Sequence, residues 1–105
     1  MSAIAATAES CIGKFTGKWD SSGFVAYCYK QHGKTIPHSS AQIWTQGKAA
    51  NGARGDIVCW EGHCGICDGV GNVIHSYNAN YNIRKDPISK VSSWDKRKVK
   101  GYRTF

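Results

Sequence analysis

The stretch GDIVCWEGHCGICDGVGNVIHSY, residues 55–77, decides the fold. Residues 56–60 (DIVCW) read as a short strand and Glu61-Gly62 as a turn. Residues 63–68 (HCGICD) and 73–77 (VIHSY) read as the two arms of a β-hairpin around GVGN. A turn centred near Gly69 sets His63 directly opposite His75. Opposed residues share a face of the sheet, with Cβ atoms about 4.5–5.5 Å apart, and a slip of one residue would send them to opposite faces. Such a pair is open to three readings: one imidazole fixing the other's tautomer, half of a metal site, or plain packing.

The same stretch raises a zinc reading, because Cys64 and Cys67 form a CxxC beside His63 and Cys59. Alternation along a strand argues against it, since it sends Cys64 and Cys67 to opposite faces. No second CxxC exists, and a redox CxxC normally opens a helix. Cys28, Cys59 and Cys67 fit small core residues. The expectation is therefore no metal and no cofactor. Five cysteines cannot all pair, and their spacing does not form a disulfide framework.

Upstream the period changes to that of a helix. Residues 2–12 read as a short helix ending near Gly13. Asp20, Ser21 and Ser22 are all cap-type residues before GFVAYCYKQ, whose apolar positions recur at three and four until His32-Gly33. Pro37 marks a loop, Ser39 or Ser40 caps AQIWTQ, and Gly47 closes it. Downstream, residues 78–82 read as a loop and 97–105 (RKVKGYRTF) as a last strand. Helices first and strands after predict an α+β fold with the helices on one side of an antiparallel sheet. The 105 residues are read as a single domain, 1–105, with no internal repeat.

Fourteen basic against seven acidic residues give a net charge of +7, which favours anionic partners. The basic cluster WDKRKVKGYR (94–103) reads as a solvated strand edge, since no nucleic-acid-binding motif surrounds it. No apolar run approaches a membrane span. The opening MSAIAATAESC lacks a basic start and carries Glu9, so it is a poor secretion leader. Neither nucleic acid nor membrane is expected as a partner.

Taken together, WDSSGFVAYCYKQHGKTIPHSSAQIWTQG (19–47), the GD-strand and hairpin of 55–77, and the final GYR resemble the NlpC/P60 family over nearly the whole chain. In that family an Asp-Cys-Ser-Gly turn opens a helix, and His-x-Gly-Ile and Ile-His strands follow. The resemblance implies a papain-like fold with N-terminal helices packed on a central antiparallel sheet. It implies a cysteine peptidase acting on bacterial peptidoglycan stem peptides between γ-D-glutamate and the following diamino acid. It further implies a monomer, facing the cell wall or outside the cell. It places the nucleophile at Ser21, the base at His63 and the orienting residue at His75. Asp20 and Ser22 fall on the positions that help hold a free L-alanine amine.

Three departures stand out. Phe15 lies near the position of a family tyrosine and lacks its hydroxyl, and His38 lies where the family often has arginine. His38 and His32 are read as loop and helix-end residues, and Trp44 and Trp60 as core or groove wall. Ser21 stands where the family has cysteine. A thiol at a helix N-terminus beside an imidazole ionises readily, and a hydroxyl gains far less there. Three explanations stay open: an engineered Cys-to-Ser change that disables the enzyme, a naturally inactive module that binds wall peptides, and a working serine peptidase. In the first two, the Ser21 hydroxyl serves as the helix cap.

Overall fold

The computed structural model describes residues 2–105. The described elements run α1 (Ala3–Ser10), α2 (Ser21–Lys30), α3 (Ser40–Gln46), β1 (Lys48–Ala50), β2 (Ile57–Trp60), β3 (His63–Cys67), β4 (Asn72–His75), β5 (Arg84–Pro87), α4 (Ile88–Asp95) and β6 (Gly101–Thr104). All strands join one antiparallel sheet in the order β1-β6-β2-β3-β4-β5. The class is α+β, as read from the sequence. No described helix is long and apolar enough to cross a membrane.

Strand alternation builds two cores. Ile57, Cys59, Cys64, Ile66 and Ile74 face α1, α2 and α3, where Ala5, Ala8, Phe24, Val25, Cys28, Tyr29 and Ile43 cover them. Val58, Trp60, Cys67 and Val73 point the other way, onto Val91 of α4. Cys64 and Cys67 thus lie in opposite cores, as alternation requires. All five cysteines are free and buried.

The helices are therefore not all on one side. α4 covers the far face, pinned by the indole N–H of Trp60, which donates to Ser92 Oγ at 2.8 Å. Little in the chain's pattern announces α4. Its residues ISKVSSWD carry three serines and bury only Val91, and its cap position, Pro87, has no side-chain hydrogen bond. β5 was equally hidden, because RKDP is three-quarters charged and lies at the sheet edge. β1 is a three-residue edge strand.

The hairpin register departs from the expected one by two residues. Ile66 pairs with Ile74 and Cys67 with Val73, which centres the turn on Val70 and sets Gly65 opposite His75. The cause is Asp68. Its carboxylate accepts from the amides of Val70 (2.9 Å) and Asn72 (3.0 Å) and from the Asn72 side chain (2.8 Å), so the loop closes around it. A shift of two preserves the face. His63 and His75 remain on the same side as diagonal rather than direct neighbours.

Candidate active site

Residue 21 owes its position to the residue before it. The cap of α2 is Asp20, whose Oδ1 accepts from the Gly23 amide at 2.8 Å. This corrects the cap assignment to Ser21, which is instead the first helical residue. Its hydroxyl is thereby free of capping, and the amides of Ser21 and Ser22 belong to the helix start whose N–H groups have no intrahelical acceptor. Ser76, next to His75, donates its hydroxyl to Trp19 O at 2.6 Å. That bond ties the end of β4 to the loop entering α2.

Asp20 has a second partner. His38 Nε2 lies 2.7 Å from the same Oδ1, so His38 is exposed but is not an idle loop residue. Partial burial pushes the Asp20 carboxyl up. The hydrogen bonds from His38 and the Gly23 amide outweigh that and hold it below the usual carboxylate range. A Cβ on Gly23 would fall 2.6 Å from Asp20 Oδ1 and 2.8 Å from His38 Nε2, so both side chains would have to shift to admit one. Ser22, by contrast, is buried at 6% exposure and does not line the cleft described next.

A cleft of about 370 Å³ opens at this helix start, and Asp20, Ser21, His63, Tyr77 and Arg97 are among its walls. The structure therefore brings Ser21, Asp20 and His63 to one surface, with His75 directly behind. His63 Nε2 and His75 Nδ1 are 2.8 Å apart. The opposing residue makes this possible: Gly65 has no side chain, and a Cβ there would meet His75 Cβ at 2.9 Å. Trp60 packs against His63 with ring centroids 5.4 Å apart, and Tyr77 at 6.0 Å.

Behind His75 stands a residue that the sequence reading missed. His75 Nε2 lies 2.9 Å from Asp86 Oδ2. β5 pairs His75 with Arg84 and Val73 with Asp86, so Asp86 is again one diagonal step away. Arg84 grips the carboxylate with two bonds, Nε to Oδ2 at 2.7 Å and Nη2 to Oδ1 at 3.0 Å. Burial pushes Asp86 up, but the bonds from Arg84 and His75 win and hold it below the usual range. The available signal was a lone acidic residue at strand spacing from Arg84, and it was lost with β5 itself.

This chain of contacts assigns the protons. An ionised Asp86 only accepts, so His75 carries its proton on Nε2 and accepts at Nδ1. His63 then donates from Nε2, which leaves Nδ1 as its basic nitrogen. Burial, with the charge of His75 second, pushes His63 down to about 3, and burial likewise lowers His75 against the pull of Asp86. Both rings are neutral at ordinary pH. Ser21 makes no hydrogen bond to His63 among the described residues. Its hydroxyl instead favours the Cys64 thiolate, against a burial that drives that thiol far up.

The sequence matches the NlpC/P60 family over residues 10–103. The chain belongs to the NlpC/P60 family. Members are generally cysteine peptidases, and membership supports a peptidoglycan hydrolase or peptidase kind of function. Among solved structures, an NlpC/P60 family protein from Bacillus cereus ATCC 10987 superposes with a TM-score of 0.78 at 24% identity, over 98% of this chain. This chain spans 39% of that protein's chain, and at such identity the likeness speaks to the fold. No curated protein matches. Phe15, near the family's tyrosine position, stacks edge-on against Trp19 at 5.0 Å with a left-handed φ of 63°.

Proposed function

We propose that this chain carries the site of a peptidoglycan endopeptidase acting on stem peptides between γ-D-glutamate and the next diamino acid, with its nucleophile disabled by Ser21. The observation that supports it most is the hydrogen-bonded line Asp86–His75–His63 ending at the wall of the cleft that Ser21 shares. A general base needs a free lone pair on a fixed ring, and this line provides both.

With cysteine at position 21, His63 Nδ1 takes the thiol proton, and the sulfur attacks the γ-glutamyl carbonyl. The amides at the start of α2 face the developing oxyanion, and the protonated His63 then delivers its proton to the leaving amine. The acyl-enzyme is released by water that His63 activates. Asp20, held ionised at the cleft, is placed for a substrate amine. In this reading the partner is bacterial cell-wall peptide, met outside the cell or at its wall.

That Ser21 makes no hydrogen bond to His63 among the described residues favours a second reading. In it the chain holds wall peptides without cutting them. Ser21→Cys and the parent chain, incubated with purified peptidoglycan and defined stem peptides and read by mass spectrometry, separate the two. Cleavage by the Cys form alone, lost again on His63→Ala, supports the peptidase. Binding without cleavage by either form supports the module, and cleavage by the parent overturns the disabled nucleophile.

A further inference from the structure

We propose that Arg84, held between Tyr81 and Trp94, is a positioning residue that acts through Asp86 and His75 to keep the proton off Nδ1 of His63. The proposal concerns how the site is set and deepens the peptidase reading. Its primary test is independent of any activity.

The geometry behind it has three layers. The guanidinium carbon of Arg84 lies 5.0 Å from the Tyr81 ring centroid and 5.3 Å from that of Trp94. Both distances are within cation–π range. These rings are exposed, at 44% and 45%, yet they flank a side chain that points inward. The inner edge of the guanidinium then fixes both carboxylate oxygens of Asp86 in the two-pronged arrangement that a point charge cannot reproduce. Finally, Oδ2 is shared: it receives Arg84 Nε at 2.7 Å and His75 Nε2 at 2.9 Å.

The consequence is a choice between two proton arrangements. With Asp86 ionised, His75 and His63 both carry their protons on Nε2, and the lone pair of His63 Nδ1 belongs to the cleft. If Asp86 gains a proton from solvent, it donates to His75 Nε2. His75 then holds its own proton on Nδ1 and donates to His63 Nε2, and the His63 proton sits on Nδ1. The balance is one proton added and two relocated, and the base is lost. Arg84 opposes that first protonation electrostatically. The other charges facing this line are Asp95 and Arg97, at the end of α4 beside His63, paired with each other at 2.9 Å. Asp95 also accepts from Tyr77 at 2.7 Å.

Imidazole nitrogen shifts of the ¹⁵N-labelled chain read the tautomers directly. The expected result is the Nε2–H form for both His63 and His75 at neutral pH. In Arg84→Gln the acid-side loss of that form moves to higher pH, and Arg84→Lys moves it part of the way back. In Asp86→Asn, whose amide is able to donate, a Nδ1–H population of His63 appears. Thermal unfolding of each variant checks that the fold is intact. In the Ser21→Cys background, Asp86→Asn lowers kcat on the order of 10²-fold with KM held, a value within the range of general-base contributions. The inference is overturned by a His63 Nδ1–H signal in the parent chain, or by a folded Arg84→Gln whose acid-side transition stays at the parent's pH. An inactive Ser21→Cys form with the expected spectra overturns the peptidase reading and leaves the relay standing.

Discussion

Gly65→Ala tests whether the open position across from His75 is what allows the histidine pair to form. A Cβ at residue 65 would lie 2.3 Å from Val73 Cγ2, 2.9 Å from His75 Cβ and 3.1 Å from Ile74 O. Ordinary carbon contacts are about 3.5–4.0 Å, so Val73 has to retreat by more than an ångström. It cannot do so cheaply. Val73 is fully buried against Cys67 and Val91, and a β-branched side chain in a strand has few rotamers to choose from. Overpacking of this kind costs about 1–3 kcal/mol, which in a domain of this size lowers Tm by roughly 5–20 °C. If β4 yields instead, less than an ångström of movement stretches the 2.8 Å His63–His75 bond past useful range. The assay is thermal unfolding by circular dichroism together with the imidazole nitrogen spectrum. Gly33→Ala is the comparison. Its φ of +78° is strained for alanine but nothing lies within 4 Å of the new Cβ, so it costs about 1–2 kcal/mol and leaves the histidines untouched. A Gly65→Ala protein with the parent Tm and the parent imidazole spectrum would refute the reasoning.

Three further outcomes follow from the same geometry. The native state holds His63 at about 3 against 6.5 unfolded, so its contribution is complete above pH 6.5 and is lost as pH falls. As pH falls from 6.5 to about 5.5, above most carboxylate titration, His63 should take stability away at a slope approaching about 1.4 kcal/mol per pH unit, and His63→Leu should reduce the slope in denaturant titrations without abolishing it, because His75 is lowered in the same direction. Asp20→Ala removes the α2 cap and the His38 partner together. It should cost about 0.5–2 kcal/mol by urea unfolding, with Asp20→Asn recovering most of the loss. Ser21 acts on the Cys64 thiol in the parent chain, so the Ser21→Cys thiol is expected to reach Cys64. A mild oxidant such as diamide should join them with loss of two hydrogens by mass, reversed by dithiothreitol and prevented by Cys64→Ala. An unchanged mass would show that the thiols do not meet.

What the sequence disclosed, and what it withheld, follows from where each element gets its stability. The β3–β4 hairpin and α2 were legible because their apolar residues carry the period of the structure they form, and both bury them deeply. The face shared by His63 and His75 was legible for the same reason. The register was not, because it is set by the Asp68 carboxylate bonding its own loop, a local contact that composition does not announce. β5 and α4 draw on partners already in place rather than on their own pattern. One is a charged edge strand paired only to β4, and the other a serine-rich helix anchored through Val91 and the Trp60–Ser92 bond. Asp86 disappeared with β5, and its loss mattered more than that of the strand. Each link from His63 to His75 to Asp86 is one diagonal step across adjacent strands. Once β5 is paired, the third position follows from the first two. The orientation of the base is thus built into sheet register, and a change of register by a single residue would dismantle it even with every residue of the site still present.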